Sequence, residues 1–350
     1  MRSLCWYVGV LTLSLMTATA CEDDAGDAAP DISAIEVDLE VRRFDQDLRR
    51  VASDSLPDGA ARVDGAAVLA QAYPVFFDSV FTRVMGLPEG VPGYDSALVT
   101  AFRTEPSLRG VLDSVTAVFP EGDPGAAWRR DLEQAFRYAK HYFPEQPTPE
   151  VITYVSEFSL GNLTYGAELL GVGLDFYLGA DFPGYSREVF PAYIQRGMNA
   201  EHLAPRAVET WLTNLLGPPP GERMIDRMVH NGKLLYLKSK LLPHVADTAV
   251  LNFSEQQLRW LRDNEEPMWT HYLDEDLLYE TSAKRIGKHV GVSPNAPGMP
   301  PEAPGGGANW VGMRMVEAYM RRHPDVTLPQ LVGMRDAQAL MSEGRYRPGL

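Results

Sequence analysis

Glu150–Phe158 reads EVITYVSEF and Leu169–Leu178 reads LLGVGLDFYL. β-Branched and aromatic residues at alternate positions give these segments the period of two that marks a strand. Gly161-Asn162 between them is a turn signal, so the two are expected in one sheet. Ile35–Val41 (IEVDLEV) alternates apolar with acidic residues and is a candidate third strand. Almost everything else has helical spacing. Arg42-Arg43-Phe44-Asp45 leads into a polar helical stretch, and residues 65–85 are apolar at helical spacing with Pro74 ending or kinking the helix. Residues 106–119 and 125–142 give two more helices. On the second, Trp128, Leu132, Phe136 and Ala139 share a face, with Asp123-Pro124 as start and Pro144 as stop. Beyond Phe190, helices are predicted over 191–199, 204–216, 223–238, 254–273, 281–290, 309–322, 327–333 and 335–343. The expected class is α+β: a mainly helical single domain with a small sheet.

Two breaks interrupt the helical half. Gly217-Pro-Pro-Pro-Gly221 reads as a rigid connector. Val292–Gly307 (VSPNAPGMPPEAPGGG) is a long Pro/Gly segment of the kind that forms a lid, a binding loop or a spacer, with Gly305–Gly307 as a hinge. Neither is a domain linker, because the short helices beyond them need a shared core.

The N-terminus has a short positive start, an apolar run from Leu4 to Met16, and small residues before Cys21, the three parts of a secretory leader. The apolar run is shorter than the ~20 residues of a membrane span. Ala18-Thr19-Ala20-Cys21 resembles a bacterial lipobox, although Ala18 stands where leucine is usual. Of the two cysteines, Cys5 lies in the leader, so Cys21 has no thiol to pair with in the mature chain. The expectation is cleavage before Cys21 and acylation of its thiol, an anchor worth ~0.8 kcal/mol per buried CH₂. The segments are then leader 1–20, tether 21–33 and body 34–350. Residues 22–31 are acidic and poor in large apolar groups, read equally as a surface-export signal or a plain linker.

The net charge of −15, which loss of Arg2 with the leader would take to −16, argues against nucleic acid and against charge-driven docking on anionic lipid. The lipid bilayer is instead reached through acylated Cys21. No Walker A loop, G-x-S-x-G elbow or H-E-x-x-H motif is present, and a body without cysteine excludes thiol catalysis. Neither metal nor cofactor is expected. Asp175 lies in an apolar strand, where a carboxylate is costly unless paired. Arg196, Arg206 and Lys233 are its candidate partners, with a functional role as the alternative. Gly232, inside the His230-Asn231-Gly232-Lys233 stretch of an amphipathic helix, suggests close packing. Lys233 is open to two readings, binding an anion or neutralising Asp175. Trp260, Trp269 and Trp310 read as core.

Several scattered motifs occur together: Arg43-Phe44-Asp45, Tyr142-Phe143-Pro144, Gly173-Leu174-Asp175 to Leu178-Gly179, Tyr185 and Pro191-Ala192-Tyr193-Ile194. After them come Met224-Ile225, Gly232-Lys233 with Tyr236, Leu242-Pro243, Asn264-Glu265 with Trp269, Trp310-Val311-Gly312 and Tyr346-Arg347-Pro348. In order and spacing, from Ile35 onward, they resemble the gliding-motility lipoprotein GldB family of Bacteroidota and relatives. That resemblance implies a non-catalytic lipoprotein of the cell envelope, at the outer membrane on its periplasmic or surface side. Its partners would be other envelope or motility proteins, or the linked secretion machinery. The family carries over no catalytic residues. A fainter resemblance is to predicted zinc proteases. Val208-Glu209-Thr210-Trp211-Leu212 stands where H-E-x-x-H belongs and His230-Asn231-Gly232 near a later Glu-Gly, implying a degenerate zincin-like fold. The competing reading is a metallohydrolase with His202, Glu209 and His230 as ligands. Asp175, Glu209, His230, Lys233 and Trp310 are thus the candidate pocket or ion-pair residues.

Overall fold

A computed structural model of the protein describes residues 29–53, 64–86, 93–123 and 126–348. The leader, Cys21, most of the acidic tether and Pro124 lie outside the described residues. Strand β1 (Val41–Arg43) runs directly into helix α1 (Phe44–Ala52). Four helices follow: α2 (Gly65–Ala72), α3 (Tyr94–Thr104), α4 (Pro106–Val118) and α5 (Ala127–Tyr142). The sheet continues with β2 (Glu150–Tyr154), β3 (Asn162–Tyr165) and β4 (Leu169–Gly173). The helical half contains α6 (Leu203–Leu216), α7 (Met224–Leu241), α8 (Glu255–Asp263), α9 (Glu265–Asp274) and α10 (Ala283–Val290). It ends with α11 (Gly307–Arg322), α12 (Leu328–Gly333) and α13 (Ala337–Gly344). This is the expected α+β class. Among the described residues no helix is long and apolar enough to cross a membrane.

The sheet order is β1-β2-β4-β3, with β1 and β4 parallel to β2 and β3 antiparallel to β4. Three boundaries differ from the sequence reading. Ile35–Glu40 forms no strand, although Leu39 packs into the core; ladder pairing begins at Val41, opposite Val151. Asn162, read with Gly161 as a turn signal, instead opens a strand, Asn162–Tyr165: the chain reverses at Gly166 (φ 66°) and returns as β4. β4 stops at Gly173, whose backbone packs against Leu160 and Gly161 carbonyls too closely for any Cβ. Leu174–Phe176 then turns as a 3₁₀ helix.

Pro74 ends α2 as expected, and a π-helical stretch, Phe76–Phe81, follows. It feeds Phe76, Phe77 and Phe81 around fully buried Phe44, with ring centroids at 4.7–5.8 Å. Such aromatic pairs contribute ~0.5–1.5 kcal/mol each beyond burial. The neighbours of Phe44 in Arg43-Phe44-Asp45 are structural too. Arg43 grips Asp45 with Nε and Nη2 at 3.0 and 2.8 Å, and Thr153 of β2 donates to the same carboxylate at 2.5 Å. The motif therefore pins β1 and α1 to the sheet.

Residues 254–273, read as one helix, are two. Asn264 (φ −120°) breaks the run and donates back to Trp260 O. Residues 191–199 give a single helical turn, Ala192–Gln195, before the 3₁₀ turn Ala200–His202.

The helical half is organised by one crossing. A Cβ on Gly312 of α11 would lie 1.9 Å from Met228 O of α7, and a Cβ on Gly232 of α7 would lie 2.2 Å from the Gly312 carbonyl carbon. The two backbones touch, as the mid-helix Gly232 suggested. The C-terminus is tied back by Tyr346, whose hydroxyl donates to buried Glu265 at 2.9 Å while its ring meets Trp269 edge-on at 5.3 Å. The distant motifs Asn264-Glu265 with Trp269 and Tyr346-Arg347-Pro348 therefore converge in space.

Candidate functional site

The Pro/Gly loop 292–307 is folded rather than loose. Ala296 N–H donates to Ala303 O at 2.9 Å, and both alanines are buried. Gly305 packs on Ser293 so closely that a Cβ would fall 2.1 Å from Ser293 O. The zipped arms of the loop roof a cleft of about 130 Å³. α6 and α7 contribute Glu209, Leu235 and Lys238 to its walls. Tyr193 and Arg196 come from the single turn before α6, and Asn252, Phe253 and Gln257 from the segment entering α8.

Three charged side chains line the cleft, Arg196, Glu209 and Lys238, with Arg206 and His202 packed beside them outside its lining. The Lys238 side chain is 1% exposed, and its ammonium pairs with Glu209, whose side chain is 42% exposed. Burial pulls the Glu209 carboxyl up, but the Lys238 and Arg206 charges outweigh it and hold the group below its ordinary value. Arg196 donates to Gln257 Oε1 at 2.5 Å and to Asn252 O at 2.8 Å, both neutral acceptors. The Arg206 guanidinium packs against Gly197 beside Asn252 Oδ1, a buried acceptor without a partner. Neither arginine has a carboxylate partner among the described residues. His202 next to them is pushed down to about 4, by burial first and then by Arg206, Arg196 and Lys238.

Of the five candidate residues, only Glu209 lines this cleft. Asp175 is fully buried but meets none of Arg196, Arg206 and Lys233. Its Oδ2 accepts from the Ser156 and Phe158 N–H groups at 3.1 and 2.7 Å, and its Oδ1 has no partner. The 3₁₀ turn after β4 places Asp175 beside the exit of β2, so the nearest donors are main-chain. The carboxylate thereby holds the loop in which Glu157 and Phe158 have positive φ. Burial raises its pKa to about 6, against the lowering effect of those N–H groups. Lys233 is buried and donates to Met334 O at 2.7 Å, with Leu331 and Val332 carbonyls at 3.4 and 3.5 Å. It caps the C-terminal end of α12 and neither neutralises Asp175 nor faces the cleft. Burial and Arg335 lower it to about 8. His230 is buried, held near 4 by burial and by Lys233, Arg227 and Arg335. Trp310 is core, 3% exposed, with Arg314 over its ring at 5.8 Å.

The proposed metal set fares no better. Catalytic zinc takes about three protein ligands, yet among the described residues no three His, Cys, Asp or Glu side chains converge. Val208 and Leu212, at the positions of the two absent histidines, are buried in the core. A larger hollow of about 500 Å³, whose lining includes Arg43, Trp128, Asp131 and His244, brings His244 Nε2 within 3.7 Å of Asp131.

The sequence reading missed the cleft role of Arg196, Lys238, Asn252 and Gln257. Arg196 was visible only as a partner for Asp175. Lys238 had no signal, because its carboxylate lies 29 positions away on another helix.

No curated protein and no solved structure matches the chain. A family model, described as gliding motility protein GldB, matches residues 25–348. With nearly the whole chain matched, the protein belongs to the gliding motility protein GldB family.

Proposed function

We propose that this chain is a lipid-anchored protein of the cell envelope that acts without catalysis, by binding another component of the gliding machinery or the linked secretion apparatus. The cleft beneath loop 292–307 is its binding surface. The observation that carries the non-catalytic reading is the Glu209–Lys238 pair. Where a hydrolase of the zinc type would present a free general base beside a metal, this chain neutralises its glutamate with a buried ammonium. The apolar Val208 and Leu212 on the same helix supply no ligand. Anchoring rests on Cys21, the only cysteine outside the leader.

The test is photocrosslinking in intact cells from a benzophenone residue replacing Ser293 at the cleft rim. A discrete envelope protein should be captured there, and replacement of exposed Tyr279, remote from the cleft, should not capture it. Cys21→Ala should move the protein out of the membrane fraction. Stoichiometric zinc or iron in protein purified without chelator would overturn the non-catalytic reading, as would a hydrolase activity abolished by Glu209→Gln.

A further inference from the structure

We propose that the outer edge of β3 is a docking site for an extended segment of another envelope protein, which adds to the sheet as a further strand beside the groove between β3 and α6. This is a second surface, and it does not rest on the cleft.

Hydrogen bonding identifies the occupant. β3 ends the sheet order β1-β2-β4-β3 and pairs only with β4 among the described residues. In an antiparallel ladder, hydrogen-bonded residue pairs alternate with pairs whose main-chain groups point away from each other. Gly173 N–H donates to Gly161 O, so Leu163 and Tyr165 bond across to Gly171 and Leu169. Asn162 and Thr164 therefore turn their N–H and C=O groups outward, and these groups have no partner among the described residues. Donors and acceptors at every second residue of a strand are matched by another extended main chain. The edge is also unprotected. Sheet edges are commonly blunted by proline, lysine or a bulge. Asn162-Leu163-Thr164-Tyr165 carries none of these and keeps an unbroken register with β4.

Space lies beside the edge. A groove of about 420 Å³ separates Thr164 from α6, which contributes Glu209, Thr210, Thr213 and Asn214 to its wall. Side chains of a strand alternate between its two faces, so an added strand would hang every second side chain over this groove. Leu160 before β3 and Tyr165 at its end are 40% and 46% exposed and offer apolar contact. Glu209 lines both this groove and the cleft, so the two surfaces adjoin. Charge selects the partner: with a net charge of −15 the chain repels a second copy of itself and favours a neutral or basic segment.

Thr164→Pro removes one outward N–H and leaves the ladder to β4 intact, a position at which an edge strand tolerates proline. A benzophenone residue replacing Tyr165 should capture a discrete envelope protein in intact cells. Capture should persist in Thr164→Ala, which keeps the main chain, and fall at least about tenfold in Thr164→Pro. Circular dichroism and the urea midpoint check that each variant is folded. Hydrogen exchange of the unmutated full chain is the second measurement and needs no substitution. The Asn162 and Thr164 amides should exchange freely in detergent-purified protein and at least about tenfold more slowly in native membranes, where the partner is present. The inference is overturned if no protein is captured, if capture survives Thr164→Pro, or if the two amides exchange equally fast in both preparations. Amides already protected in the purified chain overturn it as well, because the chain then covers its own edge. So does a purified chain that dimerises until Thr164→Pro is introduced, since the edge then pairs with a second copy. Those outcomes leave the crosslinking test of the cleft at Ser293 unaffected.

Discussion

The contact between Gly232 and Gly312 makes a sharp prediction about stability. A methyl on Gly312 would sit 1.9 Å from Met228 O and 2.5 Å from its carbonyl carbon. An ordinary carbon–oxygen contact is roughly 3.3 Å, so the axes of α7 and α11 would have to part locally by more than ~1 Å. The obstacle is backbone, which no rotamer change relieves. These helices of 18 and 16 residues carry Met224, Ile225, Met228, Val311, Met315 and Val316 into the core. A radial gap of ~0.5–1 Å forfeits a quarter to a half of each dispersion contact. Overpacking of this kind costs ~1–3 kcal/mol, occasionally more, and the better helix propensity of alanine returns up to ~1 kcal/mol. Gly312→Ala should therefore destabilise by about 2–3 kcal/mol, taking the upper end of that range for a backbone clash. Urea unfolding followed by circular dichroism should show the midpoint falling with little change in slope. Gly110→Ala is the control: it is an exposed helical glycine with open space around it, and should stabilise by up to ~1 kcal/mol. The double variant with Gly232→Ala should cost less than the two singles together, since the first methyl already separates the helices. A Gly312→Ala protein as stable as the parent would refute the reasoning.

The remaining predictions concern charge. His202, His230 and His289 are each held near 4 by burial, so the unfolded chain binds their protons first as pH falls below ~6.5. Stability should fall from pH 6.5 toward 4, while Asp175, raised to about 6, protonates in the folded state first and opposes the trend between about 6 and 4. Chemical denaturation across that range should show a steeper acid loss in Asp175→Asn, which lacks the opposing group; an unchanged slope would refute it. Lys238→Met should leave Glu209 without its counter-ion and raise the Glu209 pKa, visible as a new titration by carboxyl-carbon NMR in labelled protein. Lys233→Met should strand the carbonyls of Leu331, Val332 and Met334. A loss of about 1–3 kcal/mol is expected, together with faster amide exchange confined to α12 and α13.

Local chemistry was legible wherever near neighbours in the chain decide it. Pro74 stopped α2, the alternation in Glu150–Phe158 made β2, and glycine inside α7 announced a tight approach. The strand Asn162–Tyr165 escaped because Gly161-Asn162 at its start is a turn signal and four residues are too few to show an alternation until β4 offers a ladder partner. Asn264 escaped because the apolar period runs straight through a break that only the Asn264–Trp260 bond makes visible.

The candidate site divides along the same line. From sequence alone came the α+β class, the expectation of an anchor at Cys21, the absence of catalytic motifs, the reading of 292–307 as a lid, binding loop or spacer, and the family. The period of apolar residues, local turn chemistry and linear motifs are all properties of neighbours along the chain. Only the tertiary structure decided that Asp175 answers to main-chain N–H groups, that Lys233 caps a helix, and that Glu209 belongs to Lys238. Burial and charge partners depend on which helices cross, and a buried charge takes whichever donor or acceptor the packing brings within reach.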